Sequence, residues 1–307
     1  MGLRIRTNVQ SLTAQRHMGL AGKAMAKQTE KLSSGYRINH GADDAAGFAI
    51  SEVLGADIRS LAQSRRNAND AVSMIQTAEG GLDEINNIMI RLRELSVQSA
   101  SDTLGVRERR YLNEEFMALK DEVDRIAIST EYTGTRLLAG NAELPEELRK
   151  FHNPSPLEVQ VGKDYFAASD SLEAYNPVNV LRLSFDDFNA TTQGEGSLNI
   201  GNSQNSEGTR IDTKVAAQNS IMQINKAMES IASYRGTLGA VQNRLESTDR
   251  NLGVQIESLS AARSRIRDAD FAAESAEFTQ QSILQQAGAS VLTQANQLPQ
   301  IALKLLQ

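Results

Sequence analysis

The sequence predicts a mainly α protein: a long-helix coiled-coil bundle formed by N- and C-terminal arms, with a small β-hairpin-containing central lobe. Three observations predict it. Every seventh residue from Ile224 is aliphatic, through Ile231, Leu238, Leu245, Leu252, Leu259 and Ile266, which is one seam of a long coiled coil. A second ladder of the same period runs Leu54, Leu61, Ala68, Ile75, Leu82 and Met89, with Ile58 and Val72 four positions on in two of its heptads. All five prolines, Pro145, Pro154, Pro156, Pro177 and Pro299, fall in the middle or at the extreme C-terminus, leaving 1–144 and 178–298 free of the strongest helix breaker. An apolar stripe covers only part of a helix surface and must meet another of similar length. The two ladders are therefore expected to pack on each other, with Leu54, Leu61, Ile75, Leu82, Leu238, Leu245, Leu252 and Leu259 as intrasubunit coiled-coil contacts.

The first arm opens with Ile5, Val9 and Leu12 on one helical face, then a polar helix-forming stretch to Leu32 with Met18, Leu20 and Met25 scattered along it. Such a helix is marginal alone and needs a partner surface. Ser33-Ser34-Gly35 and Asn39-His40-Gly41 are break signals. Asp43 and Asp44 then stand before the apolar run from Ala45, where carboxylates cap a helix N-terminus and favour its dipole. The helix from 45 to about 100 would span roughly 80 Å. Gly80 and Gly81 fall inside it, each costing about 1 kcal/mol relative to alanine; they mark either a soft spot or a close helix contact.

Ser101-Asp102-Thr103-Leu104-Gly105 reads as the turn into a third, antiparallel ladder: Leu112, Phe116, Leu119, Val123 and Ile126. Tyr132-Thr133-Gly134-Thr135 ends it. Beyond Gly140, Leu157, Val159 and Val161 alternate with polar residues as strand residues do, and Val178, Val180, Leu183 and Phe185 suggest further strands. Asp268 to Gln307 forms a terminal segment in which Leu284, Val291, Leu298 and Leu305 recur every seven residues beside a row of small residues, Gly288, Ala295 and Ala302. Lys304 is its only charge after Glu277. An uncharged helix with a leucine stripe at a chain end is a liability unless it packs among copies of itself.

The composition excludes several classes. Aromatics make up 5% of the 307 residues and tryptophan is absent, so leucine, isoleucine and alanine must do the packing. There is no cysteine, hence no disulfide, thiolate metal site or cysteine nucleophile. No run of about 18 apolar residues marks a membrane span. The start, Met1 to Arg6, lacks a signal-peptide core, and Arg6 stands where a myristoylation motif requires Ser or Thr. The formal net charge is −6, unpromising for a nucleic-acid partner. It is uneven: 1–45 carry seven Lys/Arg against three Asp/Glu, a balance of +4, and 138–210 carry five against eleven, a balance of −6. His17, His40 and His152 lie in separate segments, no phosphate-binding glycine loop is present, and Asp186-Asp187 sit in the turn-rich middle. Neither an enzyme nor a cofactor is expected.

Both ends of the chain resemble bacterial flagellin. The stretch Ile5-Arg6-Thr7-Asn8-Val9-Gln10-Ser11-Leu12-Thr13-Ala14-Gln15-Arg16 is similar to that family's opening. Lys31-Leu32-Ser33-Ser34-Gly35-Tyr36-Arg37-Ile38-Asn39 followed by Asp43-Asp44-Ala45-Ala46-Gly47-Phe48-Ala49-Ile50-Ser51 resembles its most specific signature. Leu238 to Glu246, Ser264 to Asp270 and Gln294 to Gln300 are similar to its returning helix and tail. The resemblance covers about 3–140 and 211–307.

It implies a subunit that polymerises into the flagellar filament, exported without a cleavable signal peptide and located outside the cell. Its implied division is 1–43 and 268–307 as inner-core segments, 44–140 and 211–267 as the two parts of the helical layer around them, and 141–210 as an outward-facing β and loop elaboration. Implied partners are the chain itself, an export chaperone, and the cap and hook-associated proteins. The polymerisation residues expected are Ile5, Val9, Leu12, Leu284, Val291, Leu298 and Leu305. Arg91, Leu95 and Glu115 match the positions by which many flagellins are sensed by a vertebrate Toll-like receptor; the plainer reading is that Leu95 is core and the charged pair a solvated face. A hook–filament junction protein with flagellin-like ends is the alternative; self-propagation discriminates the two.

Overall fold

The computed structural model describes residues 8–139, 156–164, 179–185, 188–189, 198–202 and 208–304, with backbone alone over 298–304. Long helices dominate it: α1 (Val9–Ser34), α2 (Ala45–Ala100), α3 (Val106–Ser129), α4 (Lys214–Arg267) and α5 (Phe271–Lys304). Two antiparallel hairpins join β1 (Glu131–Tyr132) to β2 (Thr135–Arg136), and β3 (Leu157–Gln160) to β4 (Val180–Leu183). The chain forms two compact units, Ser60–Gln255 and a second made of Met1–Arg59 with Ile256–Gln307.

In the Ser60–Gln255 unit, α2, α3 and α4 converge on one core. Ile75, Leu82, Ile85, Met89 and Leu92 of α2 meet Phe116 and Val123 of α3 and Ile224, Ile231, Leu238 and Leu245 of α4, all buried. Ion pairs at Arg65–Asp249 (2.7 Å), Arg235–Asp83 (2.9 Å) and Lys214–Asp102 (2.6 Å) run along α2 and α4 in opposite chain order, which makes that pair antiparallel. Sign reverses once along the seam: α2 supplies the cation Arg65 and the anion Asp83, and Asp102, just beyond the end of α2, supplies a second anion. A heptad slip would break every pair.

Two breaks have local causes. Thr133 and Gly134 turn the first hairpin with φ of 49° and 83°, the paired left-handed conformation that suits a two-residue turn. Gly81 is the close contact: a Cβ there would stand 2.6 Å from Thr130 Oγ1 and 2.9 Å from Leu138 Cδ1, whereas one on Gly80 would meet nothing within 4 Å.

The β3–β4 hairpin and the segments beside it lay Val161, Leu181, Leu183, Phe185 and Phe188 on the helical core. Phe188 packs 4.8 Å from the Tyr234 ring, and the Tyr234 hydroxyl donates to Ser184 O. Among the described residues Lys120 is the charged side chain that is buried, alongside several buried serines and asparagines. Its ammonium is fully enclosed, donates to Thr209 O at 2.8 Å, and lies 5.7 Å from the Phe116 ring centroid. Burial, and then the Arg210 charge, lower its pKa to about 8.

In the other unit α1 and α5 pair antiparallel, with Asn8 Nδ2 donating to Ala295 O at one end and Lys31 bridged to Glu274 at 2.9 Å at the other. Asn8 caps α1 through Ser11 N, and Gly35 closes it in the left-handed conformation (φ 73°) with its N–H on Lys31 O. Of the two aspartates expected to cap α2, Asp44 does so, accepting from Gly47 N at 2.9 Å. Asp43 instead turns back to Lys27 (2.7 Å) and to the Asn39 and His40 amides, and the Lys27 bond holds its pKa down at about 2. Asp270 caps α5 through the amides of Ala272 and Ala273.

Candidate assembly surface

The α1–α5 pair is close because small residues face each other. Ser11, Ala14 and Ala21 of α1 and Ala295 of α5 are buried, and Gly288 lies against Met18, where a Cβ would make an ordinary 3.7 Å contact. The larger aliphatic side chains are consequently turned outward. Val9 is 58% exposed, Leu12 57%, Leu284 49% and Val291 58%, with Leu20 and Ile283 similarly open. Fully burying one such side chain is worth about 1.5–3 kcal/mol, so leaving several of them in water forgoes stabilisation that burial would supply.

Val9, Leu284 and Val291 come together in a groove of about 720 Å³ between α1 and α5, with Thr13, His17 and Gln294 among its polar edges. Leu12 is exposed on α1 but does not line this groove. Ile5 and Leu305, and the side chain of Leu298, lie outside the described residues. Sequence reading did not single out Ile283, whose position beside Leu284 places it off the seven-residue stripe.

Of the expected coiled-coil residues, Leu61, Ile75, Leu82, Leu238, Leu245 and Leu252 are buried. Leu54 and Leu259 are half-buried. Arg91 and Glu115 meet across α2 and α3 at 2.8 Å, and Arg91 also bonds Glu94 at 3.1 Å; Leu95 is 1% exposed, within the core. His17 edges the α1–α5 groove and His40 pairs with Glu30 at 2.7 Å, while His152 and Asp186-Asp187 are outside the described residues. Among the described residues no helix is long and apolar enough to cross a membrane.

Flagellin of Halalkalibacterium halodurans is 39% identical over 303 residues, covering 99% of both chains. The chain belongs to the flagellin family. Flagellin of Bacillus subtilis is 36% identical over 99% of this chain and the whole of the relative. Family models for the bacterial flagellin N-terminal helical region and C-terminal helical region match residues 5–143 and 221–306. A putative flagellar hook-associated protein from Vibrio parahaemolyticus shares the fold at a TM-score of 0.58 and 14% identity, covering 74% of this chain and 100% of that one. The long helices and small β elements described above are thus those of a flagellin.

Proposed function

We propose that this flagellin is a structural subunit of the bacterial flagellar filament and that copies join through the α1–α5 face. The observation that carries the reading is the exposed aliphatic row of that face, with Val9, Leu284 and Val291 around one groove. Hydrophobic burial between subunits then supplies the association energy, and the small-residue seam between α1 and α5 keeps the face in shape. Residues 1–43 and 268–307 form the inner layer, 44–140 and 211–267 the helical layer around it, and 141–210 faces outward. Ile5, Leu12, Leu298 and Leu305 extend the inner-layer contact.

The reading carries a location and a set of partners: export without a cleavable signal peptide, assembly outside the cell, an export chaperone, and cap and hook-associated proteins. The Arg91–Glu115 pair offers an exposed polar face to a vertebrate Toll-like receptor, while Leu95 lies in the core beside it in sequence. A subunit of this kind performs no chemical conversion. The curated relatives that match over 99% of this chain are named flagellin, which favours the filament over the hook–filament junction.

Val291→Asp tests the reading, because it puts a charge into the groove at a residue that is not part of the Ser60–Gln255 unit. The variant is expected to fold with unchanged helix content and to fail in seeded filament growth followed by sedimentation. Growth equal to that of the parent chain would sink the assignment of this face.

A further inference from the structure

The joint between α4 and α5 lies against the linker that follows α1. Tyr36 and Asp268 form an antiparallel bridge. Arg37 N and Ile38 N donate to Arg267 O at 2.7 and 3.4 Å, and Ala269 N donates to Gly35 O at 2.9 Å. Arg37 Nη2 adds a bond to Ile266 O at 2.7 Å. This short ribbon is where both chain-end helices depart, one on each strand.

One side chain holds the ribbon against the start of α2. The Arg267 guanidinium sits 4.7 Å from the Tyr36 ring centroid and 5.5 Å from that of Phe48, and its Nη1 pairs with Glu52. The last residue of α4 therefore touches the α1 linker through Tyr36 and α2 through Phe48 and Glu52. Only 14% of that side chain is exposed, and its Nε is buried with no acceptor. An unmet buried donor costs free energy, which an aliphatic residue at this position would avoid. The guanidinium is thus kept for its geometry: a planar cation can stack between two rings and still present an N–H to a carboxylate, which a lysine ammonium cannot.

We infer that Arg267 is a positioning residue for assembly, the side chain through which the order of α1 and the order of α5 are tied together. The inference rests on the reading that subunits join through the chain-end helices. With Arg267 in place the ribbon is closed, and α1 and α5 leave it as one body whose outward aliphatic face is set. Without it Tyr36, already partly exposed, loses its only ring-face cation among the described residues. Water then competes for the ribbon bonds, and each chain end must be ordered separately as a subunit adds.

The test uses the full-length chain with Arg267→Lys, Arg267→Gln and Tyr36→Leu, and Val291→Asp as the comparison. Seeded growth gives the critical concentration, and hydrogen exchange reads the amides of Arg37, Ile38 and Ala269 against those of the Ile75 and Ile231 core. We expect all three ribbon variants to keep core protection, to lose protection at the ribbon amides, and to raise the critical concentration about tenfold. The lysine variant should give no rescue. Critical concentrations within about twofold of the parent would overturn the inference while Val291→Asp still fails to grow. So would weakened growth accompanied by lost core protection, since Arg267 would then be merely structural. Normal growth of Val291→Asp would instead remove the assembly reading on which the inference stands.

Discussion

Gly80 and Gly81 are adjacent in one helix, yet alanine should move stability in opposite directions at the two positions. In an open helix interior, glycine to alanine gains about 1 kcal/mol by restricting the unfolded chain and improving helix propensity. At Gly80 a Cβ meets nothing within 4 Å, so the whole gain should appear. At Gly81 the Cβ would stand 2.6 Å from Thr130 Oγ1, 3.0 Å from Thr130 Cγ2 and 2.9 Å from Leu138 Cδ1. Neither neighbour gives easily. Thr130 Oγ1 donates to Ile126 O at 2.7 Å, and Leu138 is fully buried. Overpacking of this kind costs about 1–3 kcal/mol, which outweighs the propensity gain and leaves a net loss of about 1 kcal/mol.

The two variants should therefore differ by about 2 kcal/mol in urea unfolding of the monomer followed by far-ultraviolet circular dichroism. Equal shifts of the same sign would refute the claim that α2 is pinched against Thr130 and Leu138 at Gly81.

Three further outcomes follow from the same packing. Asp249→Arg should lower stability by setting two like charges face to face on the seam, and Arg65→Asp in the same chain should restore it in urea unfolding if the seam of ion pairs sets helix register. Lys120 has a folded pKa of about 8 against an ordinary 10.5. Below pH 8 the amine is charged in both states and the burial cost is fully present. Between pH 8 and 10.5 the unfolded chain binds more protons, so stability rises with pH, by roughly 3 kcal/mol in all. Lys120→Met should abolish that rise, measured as the difference between the two pH–stability profiles. Asp44→Ala should cost about 1 kcal/mol through the lost cap on α2, whereas Asp44→Asn should retain most of the stability in the same urea assay.

The helical frame was legible because the seven-residue period needs no knowledge of the partner: Ile75, Leu82, Ile231 and Leu245 are core for the reason the ladders suggest. The breaks at Gly35 and Gly105, and the turn at Thr133-Gly134, were also visible, since each rests on local backbone chemistry. Lys120 was not, because a charged residue at a helix position reads as solvated until an enclosing carbonyl such as Thr209 O is known. Arg267 was equally hidden. Its rings, Tyr36 and Phe48, stand more than 200 positions away in sequence.

The assembly face was half legible. Val9, Leu284 and Val291 stood out as unpartnered aliphatic residues, but that Ala14, Ala21 and Ala295 close the α1–α5 pair follows only from the packing. Asp43 was assigned to the helix cap by proximity, whereas Lys27, one α1 turn before Lys31, claims its carboxylate.

The central claim, a self-propagating polymer built by its chain ends, is tested most directly by seeded growth. Purified full-length protein is heated to monomers, returned to moderate salt with short filament seeds, and followed by sedimentation and negative-stain microscopy. Long uniform filaments from the full chain, and none from a chain trimmed of 1–43 and 268–307, are the predicted result. Stable monomers or closed rings of the full chain, or filaments from the trimmed one, would contradict it.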